Sequence, residues 1–90
     1  MSRWSSGMMP MNDRERVLAA IKAHPEGITT WEIVAAIWPD APAWRISTLM
    51  AGTHYDATKL AHWGQVYGTP ERRRTRQGQY QRQTVWRPVA

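Results

Sequence analysis

The sequence predicts a small α+β domain in which three helices precede a C-terminal β-hairpin. Three observations lead to this fold class. Apolar residues recur every three or four positions up to about residue 62, which is the spacing of one helix face. After Gly64 apolar and polar residues alternate instead, as they do along a strand. The length of 90 residues is enough for one compact domain with a small core.

The first helix follows an N-terminal segment without periodicity. Residues 1–11 contain Gly, Pro and Ser, so we expect a flexible arm ahead of a domain that spans residues 12–90. Asn12 and Glu15 have the spacing of a capping box, in which each side chain bonds the other residue's backbone. This predicts a helix over residues 12–24, which ends before the next proline.

A second capping box, Thr29 and Glu32, predicts a helix over residues 30–38. The single apolar residue before it, Ile28, allows only a short strand or an extended link. Pro39 ends this helix, because proline cannot continue the backbone hydrogen bonds.

The third helix is predicted over residues 43–62 and is the longest. Asp40 or Ala41 is the expected N-cap, with Pro42 in the first turn. Gly52 lies in the middle and costs about 1 kcal/mol relative to Ala, so a bend or a break there is an alternative. The residues expected to face the core share a three- or four-residue spacing: Ile46, Leu49, Met50, Thr53, Ala57, Leu60 and Ala61.

The hairpin is predicted over residues 65–88. Residues 65–68 form its first strand and residues 79–87 its second, in which Val85 faces away from Tyr80, Arg82, Thr84 and Trp86. Residues 69–78 between the strands, which contain Pro70 and most of the arginines, are expected to be the hairpin loop.

Positive charge is concentrated in the hairpin. The formal net charge is +5, yet residues 1–61 carry six Lys or Arg and six Asp or Glu. Residues 62–90 carry six arginines and one acid, Glu71. A basic segment on a neutral body indicates a polyanionic partner, and guanidinium groups suit phosphates because they bind them in a bidentate manner. The alternative is a solvated loop whose charge serves solubility.

Several classes of function find no support in the sequence. There is no Cys, which excludes disulfides and thiolate sites. His24, His54 and His62 are too scattered to predict a metal site or a catalytic group, and no cofactor motif occurs, so we expect no enzyme. No apolar run approaches the roughly 20 residues of a membrane span, and the N-terminus does not resemble a signal peptide.

The order of these elements resembles the winged helix-turn-helix family of DNA-binding domains. Residues 28–33 (ITTWEI) resemble the entry to the family's second helix. Leu60 followed by residues 64–66 (GQV) resembles the passage from recognition helix to wing. Gly78 with residues 85–87 (VWR) resembles the wing tip and the returning strand. The resemblance covers residues 12–88, and its strength lies in the order and spacing of the motifs.

The resemblance implies binding to double-stranded DNA, as a transcriptional regulator or accessory factor. The wing arginines would meet the phosphate backbone or minor groove, and the start of the third helix would enter the major groove. The third helix departs from the family in its length and in carrying only two exposed cations, Arg45 and Lys59, which shifts the expected contact toward the wing. The expected DNA-binding residues are Arg72, Arg73, Arg74, Arg76, Gln77 and Arg82 in the hairpin, and Thr30, Trp44, Arg45, Ser47 and Thr48 in the helices.

Other partners stay open on sequence grounds. A winged helix can also bind an acidic partner protein, and an RNA partner fits the same charge. A homodimer could form through the first helix or the arm. We expect a cytoplasmic protein, associated with the nucleoid if it is bacterial or from a phage.

Overall fold

The computed structural model describes residues 11–90, which form three α-helices and a three-stranded antiparallel sheet. The predicted α+β class, with three helices before a hairpin, is therefore confirmed. Residues 1–10, most of the expected arm, lie outside the described part. The elements in chain order are α1 (Asp13–Lys22), β1 (Ile28–Thr29), α2 (Thr30–Ile37), α3 (Ala43–His62), β2 (Val66–Arg74) and β3 (Tyr80–Pro88).

The first helix begins at the predicted capping box. The Asn12 side chain accepts a hydrogen bond from the Glu15 backbone N–H at 2.8 Å, and the Glu15 carboxylate accepts one from the Asn12 N–H at 2.9 Å. The helix ends at Lys22, two residues earlier than predicted. The N–H of His24 already bonds the carbonyl of Ile21 at 3.0 Å, which is a tighter turn than an α-helix makes.

The second helix begins at Thr30, as predicted. The Glu32 carboxylate accepts from both the backbone N–H and the hydroxyl of Thr29, at 2.9 and 3.0 Å. The carboxylate thus provides a partner for the Thr29 N–H, which has no acceptor within the helix.

The third helix has the predicted bounds and continues without a break through Gly52. Its N-cap is Pro42 rather than Asp40 or Ala41, so that prediction is wrong. Pro42 has extended backbone angles, φ −69° and ψ 154°, and its carbonyl accepts from the Arg45 N–H at 2.9 Å. Proline has no backbone N–H and so leaves no donor without a partner at the start of a helix. It is therefore tolerated at the N-cap as well as in the first turn.

The hairpin is longer than predicted, and its loop is shorter. Residues 69–74, expected in the loop, belong to β2, and only residues 75–79 connect the strands. Pro70 suggested a loop, but β2 lies at the edge of a sheet with the order β1-β3-β2. Proline is tolerated there because its missing N–H can face away from the neighbouring strand. Pro70 lies opposite Thr84 in a register that continues to Arg74 and Tyr80.

The core lies between the helices and the base of the sheet. Trp86 is 4% exposed, and its indole N–H donates to the Thr30 hydroxyl at 3.1 Å. Gly68 lies opposite Trp86 in β2, and a Cβ at this glycine would come within 2.8 Å of the indole ring. The buried apolar residues of this cluster are Val17, Ile21, Ile28, Ile33, Ala57, Leu60, Val66 and Trp86.

The two halves of α3 differ in burial. Thr53, Ala57 and Leu60 in the second half are buried, whereas no residue from 43 to 52 is. The expected core residues Ile46, Leu49 and Met50 are therefore only half-buried. Within residues 11–90, none of the helices is long and apolar enough to cross a membrane.

Candidate functional site

The hairpin has two chemically different faces. Side chains alternate along a strand, and directly opposite residues of two strands share a face. Glu71, Arg73 and Arg87 lie on one face, together with the buried Val85. The other face buries Trp86 at its base and carries cations farther along the hairpin.

The first face holds an internal ion-pair cluster. Both terminal nitrogens of Arg87 donate to the Glu71 carboxylate, and Arg87 also donates to the carbonyl of Glu26 at 3.1 Å. The Arg87 hydrogen bonds, followed by one from the Thr69 hydroxyl, hold the pKa of Glu71 below its ordinary value. The same pairing raises the pKa of Arg87. This cluster neutralises the hairpin's one acid with cations of the same protein.

Arg73 belongs to this internal cluster. Its guanidinium lies 3.7 Å from the Glu71 carboxylate and donates to the Glu26 carbonyl at 3.3 Å. Arg72 and Arg74, its neighbours, point to the opposite face because they lie in a strand. The expectation that Arg72, Arg73 and Arg74 lie in the hairpin loop is therefore wrong, because β2 contains all three and divides them between two faces.

The second face carries the arginines without acidic partners. Arg72 lies directly opposite Arg82, and Arg74 lies opposite Tyr80, whose ring its guanidinium covers at 5.8 Å from the centroid. We call these four residues the arginine face. None of its three arginines forms an ion pair within residues 11–90. Like charges directly across two strands are destabilising, and a bound anion would relieve their repulsion.

The turn of the hairpin adds two of the predicted residues. Arg76 and Gln77 lie in residues 75–79 and are exposed. Arg76 lines a cavity of about 200 Å³ with Trp31, Trp38 and Ile46, so the hairpin tip reaches the connection between α2 and α3.

The first two turns of α3 present the predicted helix residues to solvent. Trp44 is 79% exposed, and Ser47 and Thr48 are exposed beside it. At about 100° per residue these three share one side of the helix. Arg45 is also exposed but lines a separate cavity at the α2–α3 connection, with Trp38 and residues 39–42. The fold thus groups Trp44, Ser47 and Thr48 on one side of α3 and places Arg45 at the edge of that side, next to the α2–α3 connection.

A cleft separates α3 from the hairpin. Its cavity of about 510 Å³ is lined by Thr30, Trp31, Met50, Ala51, His54, Gln83 and Thr84. The Trp31 indole N–H donates to the carbonyl of Arg74 at 2.8 Å, which joins α2 to the hairpin. The predicted residue Thr30 is half-buried here, with its hydroxyl bonded to Trp86. His54 contacts the edge of Trp86, with ring centroids 5.5 Å apart.

Sequence reasoning missed the cleft. Trp31, Met50 and His54 were not candidate site residues, because the contacts that bring them together join distant parts of the chain. Their only local signal is that Trp31 and Met50 are large apolar residues, of which Met50 was predicted to face the core.

Within residues 11–90, no three His, Cys, Asp or Glu residues lie close enough together to hold a metal ion. The arginine face and the first two turns of α3 can donate hydrogen bonds and attract anions.

Comparison of the chain with protein-family models, curated proteins and solved structures found no match.

Proposed function

We propose that the protein binds double-stranded DNA as a winged helix-turn-helix domain and acts as a transcriptional regulator or accessory factor. The helix order supports this fold assignment, with α2 and α3 joined by a short connection at residues 38–42. The sheet order β1-β3-β2 supports it as well, because it makes the β2–β3 hairpin a wing beside α3.

The arginine face is the observation that carries the proposal. The hairpin's one acid, Glu71, is already paired with Arg87, so the cations on the opposite face lack a counter-charge within residues 11–90. A run of phosphates would supply that counter-charge, and each guanidinium could bind one in a bidentate manner. Arg72 and Arg82, which lie side by side on this face, would then meet one DNA strand from the two strands of the hairpin.

The start of α3 would supply the second contact. Trp44, Ser47 and Thr48 are exposed and carry an indole N–H and two hydroxyls that can bond phosphates or base edges. This side of the helix has no cation in its first two turns apart from Arg45, which points toward the α2–α3 connection. We therefore expect most of the affinity to come from the hairpin and to depend little on DNA sequence.

Fluorescence anisotropy of a labelled random-sequence duplex tests the proposal. We expect binding at low salt that weakens steeply as salt rises, because each phosphate contact releases counterions. Polyglutamate and an RNA duplex serve as competitors, each added at the same total negative charge as the DNA. Absence of duplex binding at about 20 mM salt, well below the range in which phosphate contacts are screened, would refute the proposal. If polyglutamate competes as strongly as unlabelled DNA, the proposal of DNA binding would have to be replaced by one of general polyanion binding.

A further inference from the structure

The cleft and the cavity at the hairpin tip adjoin at Trp31, and we call their two linings together the apolar surface. Trp31 lines both the 510 Å³ cleft and the 200 Å³ cavity at the hairpin tip. The linings between them include Met50, Ile46 and Trp38, all half-buried. Their combined size lies in the range of about 300–1,000 Å³ typical of ligand sites. Two or three large side chains could be accommodated there.

The first half of α3 explains why this surface exists. Ile46, Leu49 and Met50 have the three- and four-residue spacing of a helix face that packs against another element. In the second half of the same helix this face is buried, yet no residue from 43 to 52 is. A partner that covered these half-buried side chains would gain about 25 cal/mol for each Å² of apolar surface removed from water.

Among the residues that line this surface, the one charged side chain is a cation. Neither cavity is lined by an Asp or a Glu, whereas Arg76 lines the smaller one. Arg82 lies two residues from Thr84 on the same strand face, at the margin of the cleft. A partner that fills the site must therefore combine apolar side chains with negative charge.

We infer that the cleft binds an acidic segment of a partner protein through two or three large apolar side chains. A sugar–phosphate backbone would satisfy the arginines but would bring little apolar surface to Trp31 and Met50. A protein segment with apolar residues between Asp or Glu residues supplies both. The apolar side chains fill the cavities, and the carboxylates pair with Arg76 and Arg82. This inference does not depend on DNA binding.

The test is a peptide-display selection against the whole 90-residue protein. We expect enrichment of peptides that carry Asp or Glu and two or three large apolar residues. Ala51→Trp blocks the cleft, since Ala51 is exposed and lines it. Ala19→Trp is the matched control, the same substitution at an exposed position of α1 that lies outside both cavities and outside the proposed DNA contacts. Urea unfolding establishes that both variants are folded.

The selected peptides should bind the Ala51→Trp variant about tenfold more weakly or worse, and the Ala19→Trp variant as well as the wild type. A two-dimensional NMR titration should shift the Trp31 indole N–H resonance. The inference is overturned if no peptide is enriched, if enriched peptides lack acidic or large apolar residues, or if Ala51→Trp binds them normally. Loss of duplex DNA affinity in Ala51→Trp without peptide enrichment would assign the cleft to nucleic acid instead.

Discussion

Removal of the facing arginines is the perturbation that addresses the proposed phosphate contact most specifically. In the double variant Arg72→Ala, Arg82→Ala, the arginine face keeps Arg74 as its one cation, and Arg76 stays in the turn. Both substitutions affect exposed side chains that form no ion pair within residues 11–90. Because they also relieve a like-charge pair, we expect the urea midpoint to stay unchanged or to rise slightly.

The magnitude follows from the number of phosphate contacts. The logarithm of the affinity for B-DNA falls by about 0.9 per contact for each tenfold rise in salt. If four arginines each meet one phosphate, a rise from ~50 to ~200 mM salt weakens binding by about 150-fold. With two contacts left, the same rise weakens it by about 12-fold. Anisotropy titrations of one labelled duplex at four or five salt concentrations measure this slope.

The control is a variant with the same loss of charge elsewhere. Arg16→Ala, Lys22→Ala removes two exposed cations from α1, neither of which forms an ion pair within the described residues. Its salt slope should match that of the wild type. An unchanged slope in the hairpin variant, or an equal flattening in both variants, would refute the assignment of phosphate contacts to the arginine face.

Three further predictions concern stability and are checked by urea unfolding. Gly52→Ala should stabilise the protein by about 1 kcal/mol, because a Cβ there meets no atom within 4 Å and alanine favours the helix. Gly68→Ala, the same chemical change, should destabilise it by about 1–3 kcal/mol, because the Cβ would come within 2.8 Å of the Trp86 ring. Glu71→Gln should lower the stability at neutral pH by leaving Arg87 without its carboxylate partner. The pKa of Glu71 is lowered in the folded protein, so its contribution is present above the ordinary value of 4.5 and is lost as the pH falls through the folded value. The stability difference between wild type and Glu71→Gln should therefore shrink in acid, and a constant difference would contradict the ion-pair account.

The helices could be predicted closely because their signals are local. The capping residues Asn12 and Thr29 and the flanking prolines lie within a few positions of the ends they define. The bounds of α3 were predicted correctly although Gly52 argued for a break. The helix continues through Gly52 because the residues that follow it, Thr53 and Ala57, are buried. Their spacing in the sequence had predicted that they face the core.

The hairpin could be predicted only in part because the second part of its first strand, residues 69–74, has no local signal. Residues 69–74 are polar and contain Pro70, a composition that favours a loop. They form a strand because Glu71 pairs with Arg87, 16 residues away, and because β2 has a single neighbour in the sheet. The division of the arginines between two faces follows from this register, so composition alone could not reveal it.

The cleft lay beyond sequence reasoning for the same physical reason. The hydrogen bond from Trp31 to the Arg74 carbonyl joins residues 43 positions apart. Trp86 packs against His54 and Gly68, which come from two other elements. Periodicity identifies which side of an element is apolar, but the space left between two elements depends on how they pack.

The measurement that tests the central claim most directly is a two-dimensional ¹H–¹⁵N NMR titration of the protein with a duplex of about 12 base pairs at low salt. We expect the largest shifts in residues 72–82 of the hairpin and in residues 44–48 of α3, with α1 (Asp13–Lys22) unaffected. Shifts that centre on α1, or that leave the hairpin unchanged, would contradict the account.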